Sequence, residues 1–186
     1  MAVPSKYIQS VQKAAKGRPK STDWYREKIR EFGTPKSLDL IRDGKQATSP
    51  FIGRLNMFFY DPKLKKTLPY YDRFPLVLPL ERYSDGFLGI NFHYLPIPLR
   101  IRLLDRVVDF SNNTKFDEST RLNVNYQKLK TIKLIKPTLK RYLAGKVKSR
   151  FRRVDADEFT IATLLPVARF SKAKENTVYS DSRKML

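Results

Sequence analysis

Apolar positions fall in short strand-length runs between residues 51 and 95 and at helical spacing on either side. Leu55, Met57, Phe58, Phe59 and Tyr60 lead into Asp61-Pro62, a turn opener, and a second apolar run over 74–80 precedes Ser84-Asp85-Gly86. Asp-Gly between apolar runs predicts a hairpin with a type I′ turn, which needs positive φ at both central residues. The pattern therefore predicts strands over 76–83 and 87–94, with another over 52–60. Pro75 and Pro79 have no N–H to donate, so the 76–83 strand is predicted to be an edge strand or a broken one.

Upstream, residues 5–16 read as a weak helix or a flexible basic arm, ended by Gly17-Arg18-Pro19-Lys20. Ser21, Thr22 or Asp23 can cap a clearer helix in which Tyr25, Ile29 and Phe32 share a face and Gly33 is the stop. Trp24, beside that stripe, is expected in the core. Thr34-Pro35 opens a third helix with Leu38 and Ile41 inward and Gly44 as terminator, and 45–50 is a polar linker.

Downstream, Pro96 and Pro98 start a helix striped by Leu99, Leu103, Val107 and Phe110, with Arg100, Arg102 and Arg106 facing elsewhere. That helix can close the open face of the sheet. After a loop over 111–114, Asp117 or Ser119 caps a helix carrying Leu122, Tyr126, Leu129 and Ile132. Pro137 and Gly145 bracket a short helix that turns Lys140 and Arg141 away from Leu139 and Leu143. Asp155 and Glu158 have capping-box spacing ahead of Phe159, Ile161, Ala162, Leu164 and Leu165, and Pro166 closes that helix.

These elements predict an α+β fold: a small, hairpin-rich antiparallel β core over about 51–95, flanked by several helices, with basic extended segments at both ends. One compact domain would comprise a basic arm and helices over 1–50, the β-rich core and its closing helix over 51–113, a basic helical region over 114–170, and a polar tail over 171–186 in which Val178 and Tyr179 can dock.

Charge turns this generic fold into one with an anionic partner. Lys and Arg number 38 against 18 Asp and Glu, a formal net charge of +20 and a pI near 10.2. Such self-repulsion opposes compaction unless a polyanion compensates it, which points to nucleic acid ahead of an anionic membrane. Residues 128–153 concentrate the excess, with Lys128, Lys130, Lys133, Lys136, Lys140, Arg141, Lys146, Lys148, Arg150, Arg152 and Arg153 and no acid among them. Ile132, Leu139, Tyr142, Leu143 and Phe151 are interleaved, so this charge is presented from a packed support and the eleven cations are the nucleic-acid-binding candidates. Arg150, Arg152 and Arg153 stand out, because Phe151 can anchor the segment while guanidinium groups bind phosphate in bidentate fashion.

Catalytic and metal chemistry find little support. The chain has no cysteine, which excludes disulfides, thiolate metal sites and a cysteine nucleophile. The N-terminus lacks the apolar h-region of a secretory signal, and no apolar run approaches the roughly 18 residues of a membrane span, so no membrane partner is expected. His93, the single histidine, lies between aromatics on a predicted strand without a serine nucleophile motif or Gly-rich phosphate loop, and it is assigned to structure with Asp61 and Asp72. Asp61, Asp72, Glu81 and Asp85, with Lys63, Lys65 and Lys66, are the raw material of a metal-dependent nuclease. None of them has the acidic-x-lysine pattern on a second strand that would support one, and Asp61-Pro62 and Asp85-Gly86 read as turn chemistry. No cofactor, metal or catalytic residue is expected.

The segments FFYDPKLKKTLPYYDRFPLVLPL, DGFLGINFHYLP followed by LRIRLLD, KPTLKRYL and VKSRFRRVDADEFTIATLLPVARFSKA cover most of residues 55–174. Their combination resembles small virion proteins of T-even-like marine tailed phages labelled DNA end protector proteins. The resemblance implies a non-enzymatic protein, made in the host cytoplasm and carried in the virion, that binds the free end of the packaged genome and shields it from host exonuclease on entry. Its partners would be double-stranded DNA, bound independently of sequence, and other virion proteins. End protection needs phosphate contacts near a terminus with little base readout, which Lys and Arg on a rigid support supply. The alternative is a structural component of a virion neck, tail or baseplate, with Tyr70, Tyr71, Phe92 and Tyr94 as interface anchors.

Overall fold

The structure, a computed structural model, describes residues 5–16, 18, 20–42, 44–110, 122 and 126–186. The predicted loop over 111–114 and the caps at Asp117 and Ser119 lie outside the described residues, as does the side chain of Phe110.

Three helices lead the chain. In α1 (Ser5–Ala14), Ile8 and Val11 are fully buried, so this basic segment is a docked helix rather than an extended arm. The Tyr7 hydroxyl reaches the carbonyls of Ile29 and Gly33, tying α1 to the end of α2 (Thr22–Phe32). Ser21 caps α2 by accepting the Trp24 N–H at 3.2 Å, and Gly33, at φ 75°, ends it. Ile29 is the inward residue; Trp24 is half-buried beneath Lys20, not in the core, because it lies off the Ile29 face. The short α3 (Ser37–Arg42) buries Leu40 and Ile41, while Leu38 points to solvent.

The strands are β1 (Lys45–Ala47), β2 (Leu55–Met57), β3 (Tyr71–Asp72), β4 (Leu76–Tyr83), β5 (Gly86–Asn91), β6 (Leu139–Leu143), β7 (Phe151–Val154) and β8 (Phe170–Ser171). Six form one antiparallel sheet in the order β1-β7-β2-β4-β5-β6, and β3 pairs with β8 in a separate ribbon. Helices α4 (Ile97–Phe110), α5 (Tyr126–Leu129), α6 (Ile135–Thr138), α7 (Phe159–Leu164) and α8 (Glu175–Lys184) and three short 3₁₀ turns complete the described elements. None is long and apolar enough to cross a membrane.

The mixed fold and the 76–91 hairpin match the sequence pattern, and several details are corrected. Strand β4 is interior at Leu76 and Val77, between β2 and β5, and is broken between Pro79 and Glu81, the second of the two predicted alternatives. Proline is tolerated because β2 pairs only with Leu76 and Val77, so Pro79 lies beyond that partner and at a register shift against β5. The hairpin turn is Ser84-Asp85, with Tyr83 opposite Gly86, and neither Asp85 nor Gly86 has positive φ, so it is not type I′. A β-carbon on Gly86 would fall on the Tyr142 carbonyl oxygen; glycine is there for the close approach of β6. Strand β5 stops at Asn91 because the Asn91 side chain accepts the His93 N–H and caps a 3₁₀ turn, Phe92–Tyr94.

The "basic helical region" is largely extended. Residues 139–143 form β6, not a helix, because the outer edge of β5 needs a hydrogen-bonding partner and Tyr142 needs the aromatic face of the sheet. The linker over 45–50 supplies β1, paired with β7. The C-terminal segment is helix α8, docked by fully buried Val178. Arg100 does not face away: it is 1 % exposed and donates to the carbonyls of Leu95 (2.8 Å) and Leu165 (3.2 Å) and to the Tyr179 hydroxyl (2.9 Å), clamping α4 to α8.

The two faces of the sheet differ. Leu55, Met57, Leu76, Leu78, Ile90 and Val154 pack against Ile8, Leu40, Leu103, Val107 and Ile161 of the helices. The opposite face carries Phe58, Tyr60, Val77, Phe87, Tyr142 and Phe151, and among the described residues no helix contributes to that cluster. Strand alternation produces this split, as Leu76 and Leu78 point one way and Val77 the other.

Candidate nucleic-acid interface

The eleven candidate cations meet different fates. Lys128, Lys130, Lys133 and Lys136 are exposed around α5 and α6, whose Leu129 and Ile135 anchor them to the helix-covered core. Lys148 and Arg150 are exposed in the connection from β6 to β7, and Lys146 is half-buried there. Arg141 stacks on Tyr83 at 4.1 Å and pairs with Asp85, so it braces the hairpin turn. Lys140 is largely enclosed, its ammonium 4.1 Å from the Tyr94 ring centroid, and burial pushes its pKa down to about 8.

Alternation along β7 separates the arginines after Phe151. Phe151 and Arg153 share the aromatic side, whereas Arg152 and Val154 turn to the helix-covered side. Arg152 is 1 % exposed and lies 3.4 Å from the Glu158 carboxylate, so the sequence-based assignment of Arg152 to phosphate does not carry over to this surface. Burial raises Glu158 above the usual carboxylate range, opposed by the Arg152 charge. Arg153 lies 2.7 Å from Asp155, which also meets Arg54 at 2.8 Å and Lys45 at 3.3 Å. Asp155 is thus more than the N-cap of the 3₁₀ turn Ala156–Glu158; it is the counter-ion of Lys45 on β1, Arg153 on β7 and Arg54 just before β2.

Two adjoining hollows lie where residues 48–50, 82–84 and 148–151 converge. The first, about 510 Å³, has Phe87, Val147 and Phe151 in its wall and Arg82, Lys148 and Arg150 as its cations. The second, about 400 Å³, shares Ser49, Pro50 and Arg82 with it and adds Arg54 and Arg153. Among the described residues, no carboxylate lines either hollow. Arg82 is fixed by donating to the Pro50 carbonyl at 2.7 Å. The Ser149 hydroxyl accepts the Phe59 N–H at 2.9 Å, holding the Lys148–Arg150 stretch to the sheet. The result is a groove of cations on fixed backbone, suited to phosphate oxygens. Sequence reasoning missed Arg82 and Arg54, which lie outside the basic run and reach it only through the sheet order.

Beneath the aromatic face, Asp72 accepts the N–H groups of Phe74 (3.0 Å) and Arg169 (3.2 Å), the Asn91 amide (3.2 Å) and the His93 ring at 2.8 Å. Burial holds His93 below the ordinary histidine value against the pull of Asp72, so the neutral ring donates from Nδ1. Burial would raise Asp72, but His93 and the N–H donors outweigh it and keep the carboxyl below its usual range. Both side chains are sealed from solvent, a structural placement for this pair. Phe92 and Tyr94 are buried as well, which removes them as interface anchors, while Tyr70 and Tyr71 stay half-exposed. Among the described residues, no group of three or more His, Cys, Asp or Glu could hold a metal ion.

Neither the curated proteins nor the solved structures include a match to this chain. A family model does match, across residues 5–184 and hence the helices, the sheet and the groove alike, and by that match the chain belongs to the family described as phage T4 terminal DNA protecting protein.

Proposed function

We propose that the protein occupies the end of a duplex genome and blocks exonucleases sterically, without chemistry of its own. The groove carries this reading: Arg82, Lys148 and Arg150 converge there, with no carboxylate in its lining and no helix on that sheet face among the described residues. These three are the phosphate ligands. Arg153, Lys146 and the exposed Lys128, Lys130, Lys133 and Lys136 add to the field that draws DNA in. Backbone contacts of this type position a duplex without reading bases, so binding is independent of sequence. The protein would act from the virion, having been made in the host cytoplasm.

The test is a combined Arg82→Gln, Lys148→Gln, Arg150→Gln variant. Each lost phosphate contact removes about 0.9 from the slope of log affinity against log salt, so the triple variant is expected to be shallower by about 2.7. It should also lose protection of linear duplex against a processive exonuclease. A folded triple variant with the wild-type slope and full protection would remove the groove from the DNA-binding surface.

A further inference from the structure

The aromatic face holds a third hollow, about 360 Å³, whose chemistry differs from that of the groove. Tyr60, Tyr70, Tyr71 and Tyr94 supply rings, and Lys140 and Arg141 supply charge. The rings are fixed: Tyr94 packs edge-on against Phe170 at 5.2 Å and lies 6.1 Å from Tyr70. Arg141 is engaged by Asp85 and Tyr83, which leaves Lys140 as the cation facing the hollow.

No carboxylate among the described residues forms an ion pair with Lys140. Asp72, which also lines the hollow, is committed to four donors. An enclosed ammonium without a counter-ion is unfavourable, and its lowered pKa reflects that. The hollow is therefore of small-molecule size, walled by aromatic rings and supplied with one unneutralised charge. Its position matters too. Val147 lines the basic groove and Tyr60 lines this hollow, and the two residues are bridge partners, so one step of backbone pairing divides the two sites.

Resting on the DNA-end reading above, we propose that this pocket takes the terminal nucleotide of a DNA strand, its base stacked on the half-exposed Tyr70 and Tyr71 rings and its phosphate on Lys140. A base inside a duplex is stacked on both sides and must be flipped out to enter such a pocket. A terminal base gives up one stacking partner and regains a ring. Base–aromatic stacking is worth roughly 5- to 150-fold in affinity, enough to offset fraying of a terminal pair. The pocket thus supplies what the groove lacks, a means of distinguishing an end from an interior.

The experiment compares one short duplex in two forms, with open blunt ends and with both ends closed by hairpin caps. Wild-type protein is expected to bind the open form about tenfold tighter or more, within the stacking range. Lys140→Gln and Tyr71→Ala should lower open-end affinity to that of the capped form. A 2-aminopurine at the terminal position should change its fluorescence on binding, and one at the centre should not. Equal wild-type affinity for both forms overturns the pocket while leaving DNA binding intact. An end preference that survives both substitutions, in variants with wild-type circular dichroism, also overturns it. Binding to neither form would instead sink the DNA reading on which it rests.

Discussion

Substitution of Gly86 tests how the hairpin is joined to the rest of the sheet. A β-carbon there would fall on the Tyr142 carbonyl oxygen, with the carbonyl carbon at 2.9 Å and Arg141 Nη1 at 3.0 Å. Backbone cannot rotate aside as a side chain can, so β5 and β6 must part near the Gly86–Leu143 pair. Overpacking of this kind costs about 1–3 kcal/mol, and a chain of this size loses about 2–4 °C per kcal/mol, so Gly86→Ala is expected to lower Tm by about 2–12 °C. Gly86 does not have positive φ, so asparagine gains nothing from its tolerance of that region and, being larger, should be worse than alanine. A type I′ turn would give the opposite order. Thermal unfolding followed by circular dichroism decides the matter. A higher Tm for Gly86→Asn than for Gly86→Ala, or wild-type behaviour of both, would refute the close-approach argument.

Arg100→Met strands two buried carbonyls, while the Tyr179 hydroxyl keeps its bond to Glu175, and at about 1–3 kcal/mol for each unsatisfied group it is expected to cost at least about 2 kcal/mol in urea unfolding, against about 1 kcal/mol for Tyr179→Phe. Equal costs would mean that the guanidinium contributes only its bond to α8. The buried His93 predicts loss of stability on acidification. Burial places its folded-state pKa below the ordinary value of about 6.5, so the unfolded chain binds more protons below that pH. This contribution is complete above about 6.5 and falls by at most about 1.4 kcal/mol by pH 5.5; Asp72, lowered in the fold, adds a further loss only at more acid pH. Urea unfolding at pH 7.5 and 5.5 measures it, and an unchanged pH dependence in His93→Gln would assign the effect elsewhere.

Local signals in the sequence identified elements whose structure is decided locally. Ser21 and Gly33 bound α2, the Asp155–Glu158 pair precedes α7, and apolar runs on either side of Ser84-Asp85 form the hairpin. Elements decided by distant partners were not legible. Strand β6 looked helical because residues 139–143 carry no turn residue or apolar alternation of their own; what extends them is the unpaired edge of β5 about fifty residues earlier. Strand β1 looked like a linker for the same reason, since its partner β7 lies at the other end of the chain. The groove follows suit: Lys148 and Arg150 belong to the conspicuous basic run, but Arg82 enters only when the hairpin is set beside the β6–β7 connection.

The period of a strand also explains why counting charges overstates an interface. A helix can place neighbouring cations on one broad solvent face, but a strand sends every second side chain through the sheet. In Phe151-Arg152-Arg153-Val154 this rule sends Arg152 inward to Glu158 and leaves Arg153 outward, already shared with Asp155. In Leu139–Leu143 it sets Lys140 on the side of Tyr142 and against the Tyr94 ring, while the Arg141 guanidinium is drawn to Asp85 and Tyr83. Two adjacent basic residues on a strand therefore have separate fates, and the cations outside the strands, such as Lys128, Lys148 and Arg150, keep the freedom that the basic run suggests. A run that is uniformly basic in sequence meets four environments in the fold: a buried partner for Glu158, a brace for the hairpin turn, an ammonium enclosed against Tyr94, and exposed cations.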